Sequence, residues 1–289
     1  MTTRIAINGV ISEETNARIS VLDRGVLYGD SIYEVLRTYG GRPWALDEHL
    51  ERLHRSAALL GFGCPPPPER LAAEIEAVLG ASGNPQAGRE SYLRLIITRG
   101  AGPIGLAPQL ASEPARVVIV TELHLLPAAF YEQGVAVRLV SAAAGSAIAI
   151  CGGAKSGNYL PNILALGEAQ AHGAHEALLL DAAGRVAEGS SSNIFAVLDD
   201  VLHTPALDVG ILEGITRHKV IALARANGHV VREGELRPAD LRRASEIFLT
   251  STLREVLPVT QVDDWVVGTG RPGAVARQLR AAYHRSIEG

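Results

Sequence analysis

The apolar runs of this chain fall into two sets, and the stretch between them has no regular hydrophobic spacing. The first set, over residues 1–121, combines β-prone runs with two segments of helical spacing, which is typical of an α+β domain. The second set, over 132–289, alternates strands with helices and is typical of a mixed α/β domain. Residues 122–131 fit neither pattern. The sequence therefore predicts a small N-terminal domain, an interdomain loop over 122–131 and a large C-terminal domain.

The periodicity also predicts the main elements of each domain. In the first domain the predicted helices are 47–61 and 69–80. The predicted strands there are 4–11, 17–22, 31–38, 92–98 and 116–121. In the second domain the predicted helices are 159–172 and 215–226. The predicted strands there are 136–141, 177–181, 194–198 and 246–250.

Composition excludes several classes of protein. No run approaches the roughly 18 apolar residues that span a bilayer, and the N-terminal Met-Thr-Thr-Arg-Ile lacks an apolar signal core. Cys64 and Cys151 are too few for a disulfide framework, and the nine histidines do not predict a metal site. The net charge of −4, with acids and bases interspersed, offers no basic stripe to nucleic acid or membrane. We expect a cytoplasmic protein with small-molecule partners.

Lys155 is one of only two lysines in the chain. It stands in Ala-Lys-Ser-Gly-Asn-Tyr-Leu, residues 154–160, where a predicted helix opens. Although an isolated lysine usually lies on the surface, a lysine amine becomes a useful Schiff-base nucleophile when partial burial and nearby positive charge lower its pKa. Lys219 lies within the predicted helix 215–226, where we expect a solvated face.

Three polar motifs follow Lys155 in the chain. They are Val-Ala-Glu-Gly-Ser-Ser-Ser-Asn-Ile-Phe at 186–195, Glu-Gly-Ile-Thr-Arg at 213–217 and Leu-Thr-Ser-Thr-Leu-Arg-Glu-Val at 249–256. Each alone is an ordinary turn or helix cap. Together with the lysine they supply what a pyridoxal phosphate site requires, namely an amine for the aldehyde, a counter-charge for the ring nitrogen and donors for the phosphate.

With Asp-Arg-Gly-Val-Leu-Tyr-Gly-Asp-Ser-Ile-Tyr-Glu-Val-Leu-Arg at 23–37, these motifs closely resemble the class IV aminotransferases of fold type IV. The resemblance runs in order from about residue 5 to about residue 265. The family holds branched-chain aminotransferases, D-amino acid aminotransferases, (R)-amine transaminases and aminodeoxychorismate lyases. It implies a two-domain α/β (α+β) fold, the D-amino acid aminotransferase-like fold, pyridoxal 5'-phosphate as cofactor and a homodimer with the active site near its interface.

The resemblance also implies roles for individual residues. Lys155 carries the cofactor, and Glu188 faces the ring nitrogen, keeping it protonated so that the ring acts as an electron sink. Asn193 is expected to support the turn after Glu188. The other implied cofactor contacts are Arg55, Gly214, Ile215, Thr216, Ser251 and Thr252 at the phosphate, Leu212 on the ring and Tyr159 at the phenolic oxygen. For Arg55 the alternative is one charge on an amphipathic helix, since Arg52 lies three positions earlier.

The substrate motifs are mixed. Tyr92 and Arg94, followed by Thr-Arg-Gly-Ala-Gly-Pro-Ile-Gly-Leu-Ala-Pro at 98–108, resemble the branched-chain pattern, in which the tyrosine and arginine line the pocket. Arg99 stands where D-amino acid aminotransferases carry the arginine of their carboxylate trap. Because Ala101 replaces the expected histidine, that trap is incomplete.

Two departures from the branched-chain pattern add bulk near the expected pocket. Val35 replaces the glycine of the usual Glu-Gly, and Leu253 replaces the alanine of the usual Gly-Thr-Ala turn. Tyr28 and Tyr33 are expected as pocket walls, contributed across a dimer interface, with core packing as the alternative.

The prediction is a transaminase that moves an amino group between branched-chain or other hydrophobic L-amino acids and 2-oxo acids, and that extends to (R)-amines. The alternatives are a D-amino acid transaminase, an aminodeoxychorismate lyase and a non-catalytic cofactor-binding scaffold. The lyase keeps the same cofactor residues, so only substrate work separates it from a transaminase.

Overall fold

The computed structural model describes residues 3–63, 65–111, 113–141 and 153–288. Cys64 and Cys151 therefore lie outside the described residues. The chain divides into two compact units. Unit 1 comprises the residues up to His124 together with Ala154–Tyr159, and unit 2 comprises Leu125–Gly153 together with the residues from Leu160. The boundaries predicted at 121 and 132 stay a prediction.

As far as the structure describes it, unit 1 contains a six-stranded antiparallel sheet and three α-helices. The strands are β1 (Arg4–Ile7), β2 (Val10–Glu13), β3 (Ser31–Tyr39), β4 (Arg42–Pro43), β5 (Ser91–Thr98) and β6 (Arg116–Glu122), in the spatial order β2-β1-β6-β5-β3-β4. The helices are α1 (Arg24–Tyr28), α2 (Leu46–Leu59) and α3 (Pro68–Ser82).

Alternation along β3 and β5 decides which residues face the core of unit 1. Ile32 and Leu36 on β3, with Leu93 on β5, pack against the apolar faces of α2 and α3. Side chains of the other parity point to the opposite face of the sheet. Because Val35 pairs with Arg94 in the register, the predicted substrate residues of these two strands share that opposite face; they are Tyr33, Val35, Tyr92 and Arg94.

Two predictions for unit 1 differ from the structure. Residues 4–11 form a hairpin rather than one strand, because Asn8 and Gly9 both adopt positive φ angles (51° and 85°) that turn the chain. Residues 17–22 form no strand, so that prediction is wrong. Their apolar side chains lack a neighbouring strand, and Asp23 then caps α1 by accepting a hydrogen bond from the Gly25 N–H.

Within its described residues, unit 2 contains a mixed nine-stranded sheet and five α-helices. The strands are β7 (Val135–Ser141), β8 (Glu176–Leu180), β9 (Val186–Gly189), β10 (Asn193–Leu198), β11 (Val201–Pro205), β12 (Val231–Gly234), β13 (Glu246–Ser251), β14 (Glu255–Val262) and β15 (Trp265–Val266). Their order is β12-β11-β10-β13-β14-β7-β8-β9, with β15 on β14. The helices are α4 (Ala128–Gln133), α5 (Leu160–Ala171), α6 (Ile215–Ala226), α7 (Pro238–Arg243) and α8 (Ala274–Glu288).

Both faces of this sheet are covered. Every residue of β10 is buried, which explains its continuous apolar run. Phe195 and its cross-strand partner Phe248 stack at 5.0 Å on the side of α6 and α8. Helix α6 coincides with the predicted 215–226, whereas α4 begins at Ala128, within the stretch predicted as a loop. Phe130 and Tyr131 of α4 pack on the core of unit 2. None of the helices in the described ranges is long and apolar enough to cross a membrane.

Candidate active site

The backbone of Lys155 is fixed by β3 and α2 within unit 1. Its N–H donates to Ser56 Oγ on α2 at 3.0 Å, and its carbonyl accepts from the Tyr33 N–H at 3.1 Å. The Gly157 N–H donates to the Ser31 carbonyl at 2.7 Å. Lys155 is therefore anchored to the edge of the first sheet before α5 begins. Lys219, by contrast, is partly buried on α6 of unit 2 rather than fully solvated.

The side chain of Lys155 lies against two tyrosines. Its Nζ is 4.4 Å from the centroid of the Tyr33 ring and donates to the Tyr33 hydroxyl oxygen at 3.4 Å. The Tyr159 ring lies 5.9 Å from the same Nζ and meets Tyr33 edge to face at 5.6 Å. The structure thus brings together three residues that the sequence selected separately.

Tyr33 stays a neutral phenol. It is 3% exposed, and burial in the first place, with Tyr159 beside it, raises the pKa of Tyr33 far above its ordinary value. Its hydroxyl therefore offers Lys155 a dipole rather than a charge. Core packing and a position next to the lysine are both true of this residue.

Arg94 lies on the other side of Tyr33. Its guanidinium carbon is 4.2 Å from the Tyr33 ring centroid, in the geometry of a cation–π contact. Within the described part of the chain no carboxylate lies within ion-pair distance of this half-buried cation. Arg94 is therefore able to pair with a carboxylate from outside the chain.

Arg99, five residues further on, already donates a hydrogen bond from each of its three guanidinium nitrogens. Its Nε donates to Asp30 at 2.8 Å, and its terminal nitrogens donate to the carbonyls of Gly61 (2.9 Å) and Leu60 (3.1 Å). Its guanidinium also stacks on Phe62 at 4.0 Å. The side chain serves the structure of unit 1.

A buried charged triad lies on the helix side of β3. Glu34 accepts from Arg52 Nε at 2.8 Å and Nη2 at 2.7 Å, and from His49 Nδ1 at 2.7 Å. Burial alone would raise the pKa of Glu34, but the charge and hydrogen bonds of Arg52, with His49, lower it to about 2. Burial lowers the pKa of His49, which is therefore neutral at pH 7.

The sequence did not select this triad as functional. The sequence did contain a signal for it. His49 and Arg52 are three positions apart and therefore fall on the same, buried face of the helix, and a buried charge almost always has a charged partner. Arg55, which it did select, is exposed on α2, as a charge on an amphipathic helix would be. Its contact with phosphate stays a prediction.

Within unit 2, Glu188 is held by two neutral donors. Its Oε2 accepts from the Leu212 N–H at 3.1 Å and from Asn193 Nδ2 at 3.2 Å. Asn193 Nδ2 also donates to the Leu212 carbonyl at 3.0 Å. Asn193 therefore fixes both the carboxylate and the segment that leads to α6.

The start of α6 has the features of an anion site. Gly214 is its N-cap, and a Cβ there would lie 1.9 Å from Asn193 Oδ1, so any other residue would displace Asn193. Thr216 is 2% exposed, and its Oγ1 is buried without a hydrogen-bond partner in the described residues. First-turn N–H groups such as that of Ile215 have no acceptor within the helix. An oxyanion would satisfy these donors.

The third motif adjoins the first two. Thr250 on β13 pairs with Asn193 on β10, and its buried Oγ1 also lacks a partner among the described residues. Ser251 Oγ accepts from the Arg254 N–H at 3.3 Å, and the half-buried Thr252 and Leu253 lie in the following turn. A held carboxylate, a helix start and two buried hydroxyls fit a phosphorylated pyridine cofactor.

The two remaining substrate residues of unit 1 have different surroundings. Val35 is half-buried beside Arg94 on the open face of the sheet. Tyr28 ends α1 and is exposed; its hydroxyl accepts from the Gly105 N–H at 3.2 Å, and Arg24 lies over its ring at 5.1 Å. No group of three or more metal-ligating side chains occurs within the described ranges.

The lysine of unit 1 and the polar cluster of unit 2 are of the residue types that a phosphorylated, aldehyde-bearing cofactor requires. The chain matches the amino-transferase class IV family over residues 31–262. It is 36% identical over 97% of its length to a putative branched-chain-amino-acid aminotransferase of Methanocaldococcus jannaschii, 95% of which is covered. It is 32% identical over 98% of its length to a D-alanine aminotransferase of Bacillus licheniformis, 97% of which is covered.

The fold agrees with these relatives. The branched-chain amino acid aminotransferase of Escherichia coli matches with a TM-score of 0.91 at 31% identity, covering 99% of this chain and 95% of the other. The chain therefore belongs to the class IV aminotransferases and is a pyridoxal phosphate-dependent enzyme. The predicted family, fold class and cofactor are confirmed.

Proposed function

We propose that this aminotransferase moves the amino group of branched-chain and other hydrophobic L-amino acids to 2-oxo acids. The observation that carries the proposal is Arg94, a cation with no carboxylate within ion-pair distance among the described residues, stacked on the tyrosine that contacts Lys155 Nζ. A substrate carboxylate paired there would lie close to the reacting amine. Tyr92 and Val35 share the same sheet face and would complete this wall of the pocket.

Lys155 is the proposed catalytic residue. Bound pyridoxal phosphate supplies an electron sink for the pair released when the bond to the α-hydrogen breaks. Lys155 would hold the cofactor through its amine until the substrate amine takes its place, and the freed lysine amine would then take up the proton of the substrate α-carbon. The Tyr33 hydroxyl, which stays protonated, orients Nζ during this exchange.

The cofactor residues of unit 2 have distinct proposed roles. Glu188, held by Asn193 and the Leu212 N–H, pairs with the protonated ring nitrogen. Leu212 packs on the ring. The phosphate is bound by the helix start and the hydroxyl turn, that is by Gly214, Ile215, Thr216, Ser251 and Thr252. The hydroxyl of Thr216, which has no hydrogen-bond partner among the described residues, supports this assignment. Tyr159 donates to the phenolic oxygen of the ring.

Arg55 is the proposed phosphate contact from unit 1, and the buried Arg52 is its competitor. Titration of the apoenzyme variants with pyridoxal phosphate distinguishes the two arginines. We expect Arg55→Met to weaken cofactor binding with little change in thermal stability. Arg52→Met leaves the Glu34 carboxylate buried with one partner fewer and therefore destabilises unit 1. Cofactor affinity that drops only in Arg52→Met would transfer the phosphate role to Arg52.

A branched-chain pocket also determines which enantiomer the enzyme forms. A pocket with the carboxylate in its smaller site and the side chain in its larger site yields the L-amino acid. If methyl replaces the carboxylate and phenyl the side chain, the same arrangement is labelled R. Val35 and Leu253, which add apolar bulk, favour acceptance of (R)-aryl amines beside L-leucine.

The D-amino acid alternative is supported by the D-alanine aminotransferase relatives. It requires an arginine that is able to receive the substrate carboxylate. Arg99 already donates to Asp30, Leu60 and Gly61, and Ala101 supplies no donor, which argues against this alternative.

The enzyme is further proposed to be a homodimer, with a cytoplasmic location supported by its composition alone. Several apolar side chains of the segments 19–27 and 104–106 are exposed, among them Val21 at 76% and Leu106 at 80%. Arg24 joins the two segments through the carbonyls of Gly105 (2.7 Å) and Leu106 (3.1 Å). A patch of this kind is typical of an interface.

Light scattering tests the dimer. We expect wild type and the control Val230→Asp, a change at an exposed valine of unit 2, to be dimeric. The double variant Val21→Asp/Leu106→Asp should be monomeric. A dimeric double variant would place the interface elsewhere, with Tyr28 no longer near it.

A half-reaction screen tests the substrate. L-leucine, D-alanine and (R)-1-phenylethylamine are each added to holoenzyme while cofactor absorbance is followed. We expect rapid conversion by L-leucine, slower conversion by the (R)-amine and little by D-alanine. If D-alanine reacts fastest and L-leucine slowest, the enzyme is a D-amino acid transaminase and the proposal is wrong. Pyruvate release from aminodeoxychorismate would identify a lyase.

A further inference from the structure

A second buried carboxylate of unit 2, Glu176, belongs to none of the motifs described above. It begins β8 and is 0% exposed. Its Oε1 accepts from Ser190 Oγ, and its Oε2 accepts from Ser191 Oγ at 3.1 Å and from Arg254 Nη1. A buried carboxylate that is fully supplied with donors holds those donors in place, since losing one leaves a costly unsatisfied charge.

Arg254, the charged partner, is held at three points. Its guanidinium binds Glu176, its N–H donates to Ser251 Oγ at 3.3 Å, and its carbonyl accepts from the Tyr131 hydroxyl at 3.1 Å. It directly follows Thr252 and Leu253, the proposed phosphate and substrate residues. The ion pair with Glu176 therefore fixes the end of the turn that carries both.

The serine side of the cluster reaches the other proposed site element. Ser190 comes two residues after Glu188. Its N–H donates to the Ala177 carbonyl at 2.9 Å, and its carbonyl accepts from Asn162 Nδ2 at 2.7 Å. Glu176 thus joins the turn after Glu188 to the turn before β14, although these turns lie more than 60 residues apart in the chain.

We propose that Glu176 and Arg254 are a positioning pair for the cofactor and substrate site of unit 2. The proposal rests on the proposed function of Glu188, Thr252 and Leu253. Neither residue is assigned a contact with cofactor or substrate. The pair sets cofactor affinity and substrate KM by holding the two turns in register, and it leaves the chemical step to Lys155.

The test compares four holoenzyme variants with wild type. Arg254→Ala removes the cation, Arg254→Lys keeps it, Glu176→Gln keeps the shape of the acceptor without its charge, and Arg243→Ala is the control. Arg243 also forms a 2.8 Å ion pair, with Asp240, but that pair is exposed on α7. The readouts are the Kd of the apoenzyme for pyridoxal phosphate, KM and kcat for the best donor in the half-reaction screen, and the thermal midpoint.

For Arg254→Ala we expect Kd and KM to rise about tenfold, the size of effect that supporting residues typically have on a site. kcat should change less than about threefold, and Arg254→Lys should recover most of the affinity. The control should match wild type. If Arg254→Ala lowers only the thermal midpoint and leaves Kd and KM unchanged, the pair is merely structural and the proposal is overturned. Should Glu176→Gln fail to fold, the two Arg254 variants decide.

The cofactor Kd separates this proposal from the proposed function. If D-alanine is the best donor, the substrate assignment fails while the Kd of Arg254→Ala still tests the positioning pair. If wild type binds pyridoxal phosphate normally and Glu188→Gln has full activity, the role of Glu188 fails instead.

Discussion

Arg94 and Arg99 lie five residues apart, one on the open face of the first sheet and the other in the loop after β5, and their surroundings are opposite. Arg99 shares the Asp30 carboxylate with Arg24 and donates to two backbone carbonyls. Arg94 touches only a neutral aromatic ring among the contacts of the described chain. A motif gives the position of an arginine, but the partners decide whether it is able to bind a substrate.

The difference between Arg94 and Arg99 affects the reaction only if the reaction takes place at Lys155. Replacing that lysine should therefore have the largest effect. We expect Lys155→Ala to lower turnover by more than about 10⁴-fold, because it removes both the cofactor linkage and the proton carrier. The other lysine provides the matched control, and Lys219→Ala should retain activity. Borohydride reduction followed by peptide mapping should find the cofactor on Lys155. An adduct on Lys219 would refute the assignment.

Replacing Glu188 should have the next largest effect. In Glu188→Gln a neutral amide faces the ring nitrogen and no longer keeps it protonated, so we expect turnover to fall by about 10²–10³-fold. Cofactor affinity should change much less, since the phosphate contacts remain. Stopped-flow absorbance measures the rate, and equilibrium titration measures the affinity. Unchanged turnover would mean that another group protonates the ring.

The two arginines themselves are compared by the matched pair Arg94→Met and Arg99→Met. Methionine keeps an apolar stem of similar length, so each change mainly removes the guanidinium. We expect Arg94→Met to raise KM for L-leucine about 30-fold, which corresponds to roughly 2 kcal/mol for a lost charged contact. Arg99→Met should leave KM within about twofold of wild type. If Arg99→Met has the larger effect on KM, the substrate carboxylate pairs with Arg99, and a D-amino acid transaminase becomes the better hypothesis.

The motifs proposed to contact the cofactor could be found from sequence because each is short and they follow one another in a fixed order along the chain. Lys155 and Glu188 stand in such strings, and the strands follow from alternation and continuous apolar runs. The residues that hold them could not be found in this way. Asn193 binds Leu212 across 19 positions, and Arg254 binds Glu176 across 78, so their pairing exists only after the second sheet has formed.

A single sequence pattern does not determine whether a segment forms a strand or whether a side chain is buried. The run 17–22 has strand composition but no neighbouring strand, and burial of a face depends on a partner that composition does not reveal. Arg52 and Arg55 are both arginines of one helix, three positions apart. Their opposite burial follows from the helix phase relative to Glu34, a residue on another element.

The smallest expected effect concerns stability rather than activity, and it depends on pH. Burial alone would raise the pKa of Asp30, but hydrogen bonds and charges of Arg99 and Arg24 lower it below its ordinary value of 3.8. A carboxyl group with a lowered pKa stabilises the fold above its ordinary pKa, and that stability is lost as pH falls towards the folded pKa. Arg99→Met should therefore cost about 1–2 kcal/mol at pH 7 and less at pH 3, which lies below the ordinary pKa of 3.8, so that part of this stabilisation is already lost.

The effect should not vanish at pH 3, because Arg99 also donates to the carbonyls of Leu60 and Gly61, which do not titrate. Urea unfolding at pH 7, 5 and 3 measures the difference, and the same pair of proteins in an Asp30→Asn background provides the control. In that background the cost of Arg99→Met should be independent of pH. A pH-independent cost in the wild-type background would show that Asp30 contributes nothing to holding Arg99, and Asp30 would then no longer be a reason why Arg99 is unavailable to a substrate carboxylate.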